Sequence, residues 1–266
     1  MTFWPDSSRA TRNSALNDGR PALLFVGDSF TQGLGLSDPE SVPWKVQQKF
    51  QEYDVRNLAT GGYGTYQSLL SLKAYLKRTP GLRPKLVVYP FNEFHEARNV
   101  GELGWQIQLR VPPPETGFHF PFADIDSSGQ LVALRSQGLI PSWPARHSRV
   151  LAFLNECYWF AGSLKRLSHK KKVTEQLLWQ LDETVLAHRA RLYVVFLRFE
   201  ALHQTEYCRS LRTSQIRFVD CNIREQYDPK YQLEDGHPNA LMNEKVADCV
   251  SRALREDFTA VSSVVN

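Results

Sequence analysis

The feature that most constrains this chain is a recurring order: short apolar runs, each closed by glycine or a polar residue and followed by a stretch of helical spacing. The runs are Ala22 to Val26, KLVVYPF (Lys85 to Phe91), read as a buried strand by its β-branched and aromatic content, and ARLYVVFL, a second buried strand, with further short strands at Tyr53 to Asn57 and IRFVD. Between them, the segment 43–51 places Trp44, Val46 or Gln47, and Phe50 on one helical face, and Leu69, Leu70, Leu72 and Leu76 do the same after ATGGYGTYQ. Helical patterns recur at 150–167, 173–190, 201–212 and 241–257. Strands alternating with helices predict an α/β fold, a three-layer α/β/α sandwich with a mainly parallel central sheet. One domain is expected over residues 21–266, preceded by a polar, flexible leader over 1–20. A Pro-, Gly- and Ser-rich insertion at about 99–144, with a hairpin around Ser128-Gly129, should cover one edge of the site.

Composition excludes several classes. With 42% hydrophobic and 23% charged residues the 266-residue chain is neither fibrous nor disordered, and it is long enough to bury a core. The net charge of +4 is mild, and the one dense basic run, KRLSHKKK (Lys165 to Lys172), lacks the interleaved aromatics of a nucleic-acid surface. That run reads as a solvated helix end or as contact with an acidic polymer or membrane surface. No stretch reaches the roughly 18 apolar residues of a membrane span, and the N-terminal residues lack a signal-peptide core, so the sequence as it stands reads as cytoplasmic or as a piece of an exported protein. Cys157, Cys208, Cys221 and Cys249 form no CxxC pair and have no histidines at zinc spacing. Reduced thiols are the expectation, with a Cys208–Cys221 bridge as the alternative should the protein be exported.

In a parallel sheet, functional groups collect at the carboxyl ends of the strands. Four places fit: Gly27-Asp28-Ser29 after the first run, Gly61-Gly62 after the second, Asn92 after the third, and Asp235-Gly236-His237 before the last helix. Each has a plain alternative, since Ser29 or Asp28 could simply cap a helix, Gly61-Gly62 could be a turn, and Asn92 could stabilise its own turn. Together they supply what a serine nucleophile needs: a base, a carboxylate to orient it, and donors for an oxyanion. His95 and Glu96, in NEFHE, lack the HExxH spacing of a zinc site and are expected on the rim or in support of it, so no metal and no cofactor is anticipated.

These blocks, VGDSFTQG, NLATGGYGTYQ, VVYPFNEFHE and DGHPN, resemble in order and placement the SGNH or GDSL-like hydrolase superfamily, of a bacterial, GDSFT-opening type, over nearly all of the chain from Leu23. The resemblance implies a flavodoxin-like sandwich, Ser29 as nucleophile, His237 as general base, and an oxyanion hole from Ser29, Gly62 and Asn92. Gly62 is preferred to Gly61 because it lies five residues after Asn57. The commonest family pattern puts the acid three residues before the histidine, at Glu234 here. Members with a D-x-H arrangement point instead to Asp235, which is taken as the acid with Glu234 in reserve. The implied activity is a serine esterase acting through an acyl-serine on a small acyl ester, such as O-acetyl, of a glycan or other small molecule. A lipid esterase, a thioesterase, an O-acyltransferase and a catalytically idle ligand-binding protein are the alternatives. Trp105, Phe118, Phe120, Phe122 and Trp143 of the insertion would stack on sugar rings, enclose an acyl chain, or form local core.

Overall fold

The computed structural model describes residues 1–14, 19–109, 119–135 and 148–264. The described residues pack into two compact units, one of residues 1–63, 68–93 and 179–266 and the other of residues 64–67 and 94–178.

The first unit holds a five-stranded sheet made of β1 (Ala22–Phe25), β2 (Asp54–Asn57), β3 (Pro84–Phe91), β6 (Arg191–Phe196) and β7 (Arg217–Asp220), in the order β2-β1-β3-β6-β7. Every pairing in it is parallel. The inner strands β1, β3 and β6 read as near-continuous apolar runs because both their faces are covered, whereas the edge strands β2 and β7 carry polar and charged residues. On one face Leu23, Phe25, Val55, Leu86, Val88 and Val195 pack with Val42 and Val46 of α2 (Val42–Lys49) and with Met242, Val246 and Val250 of α9 (Ala240–Val264). The spacing of four between those α9 residues is what puts them on a single face. On the other face Phe91 meets Tyr207 of α8 (Ala201–Thr213) edge to face, with ring centroids 5.1 Å apart. The expected α/β architecture is therefore observed. Because β2 and β3 flank β1 on opposite sides, the chain reverses its winding direction between β1 and β3, the place where a sheet of this kind opens a crevice at its carboxyl edge.

Two expectations are corrected in this unit. The leader is docked over its described part: Ser8, Arg9, Ala10 and Thr11 are buried, and Arg9 pairs with Asn57 through the backbone. The Arg9 guanidinium donates to the carbonyls of Gln32, Gly33 and Leu36 and pairs with Asp38, so one arginine fastens a polar segment that periodicity could not place. The cysteines also differ from expectation. Cys221, just after β7, is bonded to Cys249 of α9, while Cys157 and Cys208 are free.

The second unit contains α4 (His95–Asn99), α5 (Leu103–Gln108), an antiparallel hairpin of β4 (Pro121–Ile125) and β5 (Leu131–Arg135), α6 (Arg149–Ser168), and the first half of α7 (Lys170–Ala187). The hairpin turns where the sequence places it, with Gly129 at φ +82° and Asp126 Oδ1 accepting from the backbone N–H groups of Ser128 and Gln130. Asn99 ties the unit together. Its amide donates to Thr65 and Thr174, and its oxygen accepts from Tyr66 N–H. Trp105 and Phe122 are buried, and Phe120 lies 5.5 Å from the Trp105 ring, so these aromatics are local core; Phe118 and Trp143 fall outside the described residues. His95 and Glu96 are fully buried, which removes them from any rim, and Glu96 forms an ion pair with Lys170 at 2.9 Å.

Candidate active site

The four places singled out at strand ends, residues 27–29, 61–62, 92 and 235–237, lie in the first unit. After β1 the backbone turns at Gly27, with φ +154°, where an added Cβ would stand 2.6 Å from Thr31 Oγ1, too close for any other residue. Asp28 then caps the four-residue helix α1 (Ser29–Gln32). Its Oδ1 accepts from Phe30 N–H at 3.0 Å and Thr31 N–H at 3.4 Å. The helix cap that a plain reading of Gly-Asp-Ser offers is real, and Asp28 supplies it, leaving the Ser29 hydroxyl to another partner. Ser29 is the first residue of α1, so its own N–H has no partner within the helix.

That partner of the hydroxyl is His237. Its Nε2 lies 2.9 Å from Ser29 Oγ across 208 positions of sequence. The imidazole is held by a tight loop in which Leu233 N–H donates to His237 O and Gly236 N–H to Leu233 O, with Gly236 in the left-handed region at φ +83°. Asn239, the last residue of the DGHPN block, accepts from the N–H groups of Leu241 and Met242 and so starts α9 where the loop ends. Asp235 faces the histidine twice. Oδ1 accepts the His237 backbone N–H at 3.1 Å, and Oδ2 stands 3.0 Å from Nδ1. The Nδ1 approach is close but poorly aligned, and Nδ1 makes no well-directed hydrogen bond. The backbone bond and, after it, the histidine side chain hold the Asp235 carboxyl below the usual range for an aspartate, although its side chain is 58% exposed. Glu234 is exposed and makes no hydrogen bond or ion pair with His237.

The two remaining blocks sit beside β1. Asn92, directly after β3, is fully buried and donates its amide to Asp28 Oδ2 at 3.1 Å. Asp28 thus organises α1 with one oxygen and Asn92 with the other. At the end of β2, Asn57 donates to the carbonyl of Thr31 at 3.2 Å, and Gln32 Oε1 accepts the Gly61 N–H at 3.0 Å. These contacts fasten the second block to α1. They engage the Gly61 N–H, and Gly62 follows at φ +81°.

One contributor was invisible in the sequence. Arg198, two residues past β6, lies with its guanidinium 4.8 Å from the centroid of the Phe30 ring, and that ring meets the His237 imidazole edge to face at 5.3 Å. Its Nη2 donates to the carbonyls of Gln226 and Gly236, each at 3.2 Å. Burial pulls the guanidinium below its ordinary pKa. Arg198 follows a strand like any other basic residue, so no motif could have marked it.

No group of three or more His, Cys, Asp or Glu residues is placed to hold a metal ion among the described residues. A cleft of about 580 Å³ opens at the opposite, amino ends of the strands, lined by Arg20, Asp54, Arg56 and Arg83, and it contains no pairing of nucleophile and base.

The sequence matches no protein-family model and no curated protein. Among solved structures the chain is similar to TesA, with 15% identity, a TM-score of 0.48, and coverage of 88% of this chain and 98% of that one. It is similar to AlinE4, an SGNH-hydrolase family esterase, with 16% identity, a TM-score of 0.46, and coverage of 91% and 98%. It is also similar to the lipase Lip_vut3 from a goat rumen metagenome, with 12% identity, a TM-score of 0.42, and coverage of 88% and 97%. Likenesses this distant leave the assignment of the site to its own geometry.

Proposed function

We propose that the chain is an SGNH-type serine esterase that hydrolyses a small acyl ester through an acyl-serine intermediate. The observation that carries this reading is the Ser29–His237–Asp235 arrangement, with Ser29 Oγ 2.9 Å from His237 Nε2 and Asp235 Oδ2 3.0 Å from Nδ1. With its proton on Nδ1 toward Asp235, His237 presents the Nε2 lone pair to the Ser29 hydroxyl and takes its proton as Oγ attacks the acyl carbon. The Ser29 N–H, the Gly62 N–H and the Asn92 amide are assigned to the oxyanion that forms. His237 then protonates the leaving alcohol. Water, deprotonated by His237, attacks the acyl-serine and releases the acid.

The site residues need no metal or cofactor in this scheme. The preference for an O-acetyl group on a carbohydrate rests on the resemblance of the GDSFT opening and the GxGTxQ second block. The described aromatics of residues 99–144 are local core and lend it no support. The Cys221–Cys249 bridge favours an oxidising compartment over the cytoplasm, because such bonds persist where thiols are not kept reduced. No helix among the described residues is long and apolar enough to cross a membrane.

The test is turnover of acetylated sugars, p-nitrophenyl esters of increasing chain length and acyl thioesters by wild-type protein and Ser29→Ala. Hydrolysis of short esters that the variant loses supports the reading. Absence of turnover on all three classes supports an idle binding protein instead, and turnover confined to long-chain esters or thioesters moves the substrate to lipids.

A further inference from the structure

Helix α6 turns an apolar face outward. At 3.6 residues per turn, Val150, Leu151, Phe153, Leu154, Tyr158, Phe160 and Leu164 fall on one half of its circumference, together with Cys157 and Ala161. All of them are exposed; Phe153 is 63% and Tyr158 73% accessible. Near its C-terminal end the opposite side of the helix meets its unit through polar groups. Ser163 is buried and accepts Leu103 N–H at 3.1 Å, and Arg166 donates to the carbonyls of Val100 and Gly101 while lying over the Phe122 ring. An ordinary surface helix has the reverse arrangement, so this apolar face calls for a cover.

Charge says what kind. No acid lies on the apolar arc, and the only acid of α6, Glu156, falls outside it. The arc ends at Lys165, and the chain continues into Lys170, Lys171 and Lys172. Lys170 is engaged by Glu96 and the Lys172 ammonium lies at the Gly129 turn of the hairpin, but Arg149 and Lys165 are exposed. A broad apolar face with aromatic side chains and a cationic border is suited to lying in the plane of a negatively charged lipid surface, where the apolar arc enters the acyl boundary and the basic groups meet phosphate. The helix cannot cross a bilayer instead, because its polar side and its own Arg149, Asn155, Glu156, Lys165 and Arg166 interrupt the apolar content.

We infer that the exposed face of α6, with Arg149 and Lys165 as its exposed cations, docks this protein on an anionic lipid surface. This interaction is separate from the Ser29 site and does not depend on the esterase reading.

The experiment is co-sedimentation of the intact protein with vesicles of phosphatidylcholine alone and of phosphatidylcholine mixed with phosphatidylglycerol. Binding should require the anionic lipid and weaken with added salt. Phe153→Ser with Phe160→Ser, and separately Arg149→Glu with Lys165→Glu, should each lower the bound fraction about tenfold or more. Thermal melting should stay near wild type in both, because the substituted side chains are exposed. A polarity-sensitive fluorophore on Cys157, in a Cys208→Ser background, should shift to the blue with anionic vesicles. Wild-type protein that stays in the supernatant with both vesicle types overturns the inference. So does a concentration-dependent dimer that Phe153→Ser dissociates without any vesicle binding, since the cover would then be a second copy.

Discussion

Asp235 meets His237 at two points, taking the backbone N–H on Oδ1 and standing 3.0 Å from Nδ1 with Oδ2. A carboxylate two residues upstream can do this because Gly236 supplies the left-handed turn between them. Asp235→Asn should therefore lower kcat by about 10²-fold or more, as replacement of a triad acid does by disturbing the imidazole tautomer. Glu234→Gln should change it only a few-fold. Steady-state kinetics at the pH of maximal rate, with folding checked by melting, separate the two. A crippled Glu234→Gln beside a near-normal Asp235→Asn would restore the three-residue spacing.

Asn92 is fully buried and fixed by Asp28, so its replacement should act on the transition state more than on substrate affinity. Asn92→Ala is expected to lower kcat about 10²- to 10³-fold with KM little changed. A large rise in KM with kcat preserved would make it a substrate-binding residue.

Arg198 reaches the histidine through two routes, the Phe30 ring and the Gly236 carbonyl. Arg198→Ala should loosen the imidazole and reduce kcat about 10- to 10²-fold, since small misplacements of a catalytic group are costly. Arg198→Lys should recover little of it, because an ammonium cannot match the guanidinium's place over the Phe30 ring together with its carbonyl contacts. The pH profile of kcat should change along with its height. A loss in melting temperature with an unaltered profile would reduce Arg198 to a structural part.

The docked N-terminal segment should contribute to the loss of stability in acid. Burial works against the charge of Asp38, but hydrogen bonds from Thr2 and Arg9 and the Arg9 charge outweigh it and hold the carboxyl below its ordinary 3.8. At Asp6, burial is likewise outweighed by Tyr75, Ser8 and Arg56. Carboxylates whose pKa is lower folded than unfolded stabilise the fold above about pH 4, and that stability is lost as pH falls through their folded values. Thermal melts of wild type against the Asp6→Asn, Asp38→Asn double variant should show a lower melting temperature for the variant near neutral pH and a shallower fall below pH 4. Arg9→Ala should destabilise by about 3 kcal/mol or more, since it strands three carbonyls and Asp38. Parallel melting curves for wild type and the double variant would remove these two groups from the acid response.

The blocks of the candidate site were legible in the sequence because the proposed chemistry needs particular residue types and the sheet puts them at strand ends. Ser29 and His237 are 208 positions apart, yet both stand beside pattern breaks that any reading of strands and helices exposes. Arg9 was not legible, since its cage is made of backbone carbonyls that leave no trace in residue types. Cys221 and Cys249 are brought together by the packing of α9 beside the end of β7, which spacing does not encode. The amphipathic period of 150–167 was visible, but periodicity cannot tell which face turns outward, and on α6 it is the apolar one.

The central claim is that Ser29 is a nucleophile activated by His237. The most direct measurement is covalent trapping by a fluorophosphonate, with the modified peptide located by mass spectrometry. The account predicts a single adduct on Ser29, lost in Ser29→Ala and strongly slowed in His237→Ala. An adduct on another residue, or none on folded wild-type protein, would contradict it.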